Sequence, residues 1–111
     1  MKIDKELQKG STMTLILSLL DRQPMYGYQM IKQIEGHSGG IFVFKEGTLY
    51  PILHALESDG LVTSSWDDTV SGRKRKYYSI TGSGKARLSE KKNEWILFKA
   101  AVDHVIGEGN L

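Results

Sequence analysis

The 111-residue sequence predicts a mainly α fold with one small β-hairpin, on three observations. Apolar residues recur at helical spacing in four segments, two short strand-like segments lie between the third and fourth of these, and glycine or proline stands near each boundary. An apolar content of 40% with 25% charged residues fits one domain able to bury a modest core.

The first helix is read over residues 12–20, where Met13, Leu15, Ile16, Leu17, Leu19 and Leu20 leave little polar face and imply burial. Asp21-Arg22-Gln23-Pro24 ends it, because proline disfavours a helical conformation in the residue before it. A second helix follows over about residues 26–37. Its Tyr26, Met30, Ile31 and Ile34 make one buried stripe, and Gln29, Lys32, Gln33 and Glu35 are left to solvent. Gly36, Gly39 and Gly40 supply the turn after it. The run Ile41-Phe42-Val43-Phe44 is apolar and β-prone, but so short a run does not separate a strand from a packed loop.

Glu46-Gly47-Thr48 opens a third helix over about residues 46–59, with Gly60 as its C-cap. Strand-like residues 61–66 and 74–80 then form a hairpin around a polar tip. Thr81 caps a last helix over about residues 82–106, whose first turn is weakened by Gly82 and Gly84 and whose length is ~37 Å at ~1.5 Å per residue. Three helices followed by a two-stranded wing make a winged helix-turn-helix domain over residues 1–81. Residues 82–111 are extra to it. Leu88, Trp95, Phe98, Val102 and Val105 recur there at spacings of seven, three and four, with Lys91 in the expected gap, a coiled-coil-like stripe. One winged helix has no surface on which to bury so long a helix, which is therefore expected to pair with a second copy as a homodimer. Folding back over the chain's own first helix is the other reading.

Two features point to double-stranded DNA. On the third helix Leu49, Ile52, Leu53 and Leu56 gather on one side, and Pro51, His54, Ala55 and Ser58 on the other, with Thr48 and Tyr50 at the flanks. A face this small and hydroxyl-bearing fits a major groove roughly 12 Å wide, although it lacks the Arg, Asn or Gln that usually read bases and also fits an ordinary solvated helix. Second, the hairpin tip reads Gly72-Arg73-Lys74-Arg75-Lys76, four of the chain's 15 basic residues, suited to a phosphate backbone or a minor groove. Alternation sends Arg75 and Tyr77 to one face and Lys74, Lys76 and Tyr78 to the other, so these cations do not all touch a duplex together. The same cluster would also serve as an edge that discourages strand pairing. The net charge of +2 is too small to decide the matter.

Several classes drop out. His37, His54 and His104 fall on different helices without carboxylates at metal-ligand spacing, and cysteine is absent, so neither a metal nor a disulfide framework is expected. No serine has nucleophile-elbow surroundings, and Gly82-Ser83-Gly84 lacks the Gly-Lys-Ser/Thr ending of a phosphate loop. No catalytic residue and no cofactor are expected, and the chain is read as a non-enzyme. No apolar run approaches the ~18 residues of a membrane span and no signal-peptide core opens the chain, so a cytoplasmic location is expected. A winged-helix adaptor that binds proteins through the same surfaces is the alternative function.

The sequence resembles the PadR family of bacterial transcriptional regulators, in its members with a single C-terminal helix. The likeness runs through Leu7-Gln8-Lys9-Gly10-Ser11, Tyr26-Gly27-Tyr28, Glu46-Gly47-Thr48-Leu49-Tyr50-Pro51, Leu56-Glu57-Ser58-Asp59-Gly60-Leu61-Val62, Arg75-Lys76-Tyr77-Tyr78 and Thr81-Gly82-Ser83-Gly84. Tyr26 departs from it, since the family more often carries histidine before Gly-Tyr. The resemblance implies a homodimer held by the last helix, binding a palindromic operator, usually repressing, and released by a small aromatic or drug-like effector. It places DNA contacts on Thr48, Tyr50, Pro51 and His54 and on Arg73, Lys74, Arg75 and Lys76; Ser58 joins them as part of the outward helix face. Trp95 and Phe98, paired across a two-fold axis, are the candidate walls of an effector site, although aromatics at this spacing also serve as plain core.

Overall fold

The computed structural model describes residues 10–67 and 74–107. Within them the chain runs α1 (Thr12–Arg22), β1 (Met25–Tyr26), α2 (Gly27–His37), α3 (Glu46–Ser58), β2 (Val62–Asp67), β3 (Arg75–Ile80) and α4 (Gly82–Val105). Gly72 and Arg73 of the hairpin tip, and Leu7, Gln8 and Lys9, lie outside the described residues.

α1 buries Ile16, Leu17, Leu19 and Leu20 and runs two residues beyond the expected end at Leu20. The restriction that Pro24 imposes falls on Gln23, which is extended (φ −168°, ψ 158°), and the helix is free to continue through Arg22.

The sheet has three strands, not the two of a simple hairpin, in the order β1-β3-β2. Met25 pairs with Tyr78 and Tyr26 with Tyr77, both antiparallel. Tyr26 is therefore extended (φ −92°, ψ 163°) and stands before the helix instead of inside it. A two-residue strand carries no periodicity, and its partner lies some fifty residues away, so nothing local announces it. β2 and β3 pair from Val62↔Ile80 to Asp67↔Arg75.

The run at residues 41–44 is a packed loop. Phe44 is buried, Phe42 packs against the core, and their rings stack with centroids 6.3 Å apart. The turn leading into it uses positive φ at Gly39 and Gly40.

α3 ends in a Schellman motif: Leu61 N–H donates to Leu56 O (2.9 Å), Gly60 N–H donates to Glu57 O (3.0 Å), and Gly60 supplies the required φ of +74°. Pro51 sits inside α3 without ending it. The carbonyl it leaves unbonded belongs to Gly47 on the exposed side, where water can satisfy it.

The core gathers Ile16, Leu17, Met30, Leu49, Leu53, Leu56, Val62 and Tyr78 from five of the seven elements. α4 packs on α1 and β3. Gly84 and Leu88 are its buried residues, and residues 92–102 are all exposed, so the distal helix does not fold back over α1. The exposed residues are not confined to the expected stripe. Ile96 and Leu97 are also exposed, and at ~100° per residue they project away from the side that carries Trp95, Phe98 and Val102. No helix of the described residues is long and apolar enough to cross a membrane.

Candidate nucleic-acid interface

α3 and the wing supply the site. Leu49, Leu53 and Leu56 anchor α3 in the core, and its Thr48, Pro51, His54, Ala55 and Ser58 are exposed as one outward face. Tyr50 differs from these neighbours. It is half-buried, and a Cβ built on Gly27 would lie 2.7 Å from its Cζ, so the first residue of α2 has no side chain where the ring of α3 seats. Burial, followed by the nearby Glu46 carboxylate, holds the Tyr50 phenol above its ordinary pKa. The Tyr50 and His54 rings lie 6.4 Å apart, one turn apart on α3.

The basic run divides as strand alternation requires. On one face of β3 the Arg75 guanidinium lies 4.6 Å from the centroid of the Tyr26 ring, which meets Tyr77 edge-on at 5.5 Å. On the other face the Lys76 ammonium lies 5.4 Å from the centroid of Tyr78 and 3.9 Å from Glu57 Oε1. Lys74 is exposed just before β3. Trp66 stands across the ladder from Lys76 and is 67% exposed.

Sequence reasoning missed Glu57, Ser64 and Trp66. For Trp66 the signal was present, a lone bulky aromatic in a polar strand. For Glu57 it was subtler, since a carboxylate in the last turn of a helix opposes the helix dipole and wants a cation nearby.

On α4 the rings of Trp95 and Phe98 stack at 6.0 Å with an interplanar angle of 26°, and they are 54% and 57% exposed. Phe98, Ala101, Val102, Val105 and Ile106 continue this as one apolar surface. No cluster of three or more His, Cys, Asp or Glu side chains suited to a metal occurs among the described residues.

Residues 16–90 match the model of the transcriptional regulator PadR-like family. The chain belongs to that family. A solved transcriptional regulator from Clostridium thermocellum superposes on it with a TM-score of 0.84 at 33% identity, over 90% of this chain and 97% of that one. A Mycobacterium tuberculosis transcriptional regulator is 34% identical over 78% of this chain and 77% of its own length. The Bacillus subtilis negative transcriptional regulator PadR is 30% identical over 74% of this chain, and the match spans 43% of that longer protein. These PadR-like relatives are regulators and not enzymes, and the three-stranded sheet with its helices is the family's winged helix.

Proposed function

We propose that this PadR-like regulator is a homodimeric repressor that binds double-stranded DNA at a palindromic operator. Residues 1–81 act as the DNA-binding domain and residues 82–111 as the dimerisation helix. α3 enters the major groove with Thr48, Pro51, His54 and Ser58 outward, while Tyr50 sets its seating on α2. Arg73, Lys74 and Arg75 follow the phosphate backbone, and Lys76 stands beside them, held by Glu57. Trp95 and Phe98 make an aromatic wall for a planar effector whose binding releases the DNA.

One observation carries the reading: α3 turns Thr48, Pro51, His54, Ala55 and Ser58 outward as one exposed face, and the basic strand of the wing is fastened to the same helix. Repression is supported by the Bacillus subtilis relative, a negative transcriptional regulator. The homodimer is supported by exposed apolar residues along α4, Val105 among them at 87%.

The test is fluorescence anisotropy with duplex from upstream of the protein's own gene, repeated across salt. The expected result is binding that weakens linearly in log–log form and drops when Arg73 and Arg75 are neutralised together. Binding indifferent to sequence and to salt refutes the proposal, and a folded dimer with no DNA affinity points to a protein-binding adaptor.

A further inference from the structure

We infer that Glu57 is a positioning residue that fastens the wing to the recognition helix and holds Lys76 away from the duplex. The inference rests on the DNA-binding reading above. Glu57 lies in the last turn of α3, half-buried, one residue before Ser58. Both of its oxygens are engaged, and by different strands. Oε2 accepts from Ser64 Oγ on β2 at 2.5 Å, and Oε1 lies 3.9 Å from Lys76 Nζ on β3. Ser64 pairs in register with Tyr78, which is two residues from Lys76 and on the same face of the sheet. One carboxylate thus reaches both strands of the wing from one helix turn.

The helix dipole gives the arrangement its direction. A carboxylate at a helix C-terminus faces the negative end of the dipole, so Glu57 gains nothing from its own helix and its favourable partners are lateral. Lys76 is held from two sides, by that carboxylate and by the Tyr78 ring. Its charge is therefore already partly balanced within the protein. A balanced cation releases no counterion from DNA, whereas an unpaired one steepens the salt dependence by about 0.9 per phosphate neutralised. Arg75, on the opposite face against Tyr26, has its ring contact away from Glu57. Within the basic run Lys76 is accordingly the cation that this carboxylate keeps for the fold.

The experiment uses the full-length protein and non-specific duplex DNA, with anisotropy read over a series of salt concentrations. Glu57→Gln keeps an acceptor for the Ser64 hydroxyl and removes the charge facing Lys76. It should steepen the log–log slope by about 0.9 per bound protomer, and far-UV circular dichroism should stay unchanged. Adding Lys76→Gln to Glu57→Gln replaces the ion pair by a neutral pair and should return the slope to that of the unaltered protein. A slope unmoved by Glu57→Gln overturns the inference, and so does a double variant shallower than the unaltered protein by about 0.9, which would mean that Lys76 already contacts phosphate. If the unaltered protein shows no salt-sensitive binding, the DNA-binding reading fails and this inference falls with it.

Discussion

Gly82 and Gly84 sit two residues apart in the first turn of α4, and replacing each by alanine should change stability in opposite directions. Nothing stands within 4 Å of a Cβ at Gly82. Gly82→Ala therefore gains only helix propensity and lost unfolded-state freedom, about 0.5–1 kcal/mol. A Cβ at Gly84 would sit 2.7 Å from Ile80 Cγ1 and closer still to the Leu61 carbonyl oxygen. That carbonyl cannot step aside, because it accepts from Thr81 N–H at 3.1 Å while Leu61 N–H is tied to Leu56 O at 2.9 Å. The turn of α4 must lift instead. Lifting it strains the cap in which Thr81 Oγ1 accepts from Gly84 N–H at 3.0 Å and donates to Gly60 O at 2.7 Å. Overpacking costs about 1–3 kcal/mol and a lost cap about 1, against a propensity gain of at most about 1. Gly84→Ala should thus lose about 1–3 kcal/mol, a fall in Tm of roughly 4–24 °C at about 4–8 °C per kcal/mol. Urea unfolding at matched protein concentration reads both variants, since self-association would make the midpoint depend on concentration. Equal midpoints for the two variants would refute the steric reasoning.

Three further outcomes are expected. Gly27→Ala should cost about 1–2 kcal/mol by driving a methyl into the Tyr50 ring, and Tyr50→Leu should remove most of that penalty in a double-mutant cycle; additive effects would show that the ring does not hold α2 and α3 together. Tyr78→Phe should be neutral or stabilising by up to about 1 kcal/mol, because the buried Tyr78 hydroxyl has no hydrogen-bond partner among the described residues; a loss above about 1 kcal/mol in chemical unfolding would count against it. The raised pKa of Tyr50 means that the folded state favours the neutral phenol. The resulting stability is full below about pH 10 and is lost as pH climbs through the raised value, so alkaline unfolding should be blunted in Tyr50→Phe, as followed by circular dichroism against pH.

Local physics settled most of the architecture from the sequence alone. The periodicities of α1 to α4, the positive-φ stop at Gly60, the Thr81 cap and the alternation that divides Arg75 from Lys76 each depend on a few adjacent residues, so a linear reading finds them. The outward face of α3 was legible for the same reason. Only tertiary structure could decide where distant segments meet. β1 exists because β3 lies beside it, and the run at residues 41–44 is a loop because Phe44 finds the core. Gly84, which reads as a weakness in a helix, is required by a carbonyl more than twenty residues earlier. The same holds for the wing, where the sequence shows four consecutive cations as one cluster. Glu57, nineteen residues before Lys76, takes one of them for the protein itself, because a charge in a partly desolvated place is claimed by its nearest partner in space and not by its neighbours in the chain.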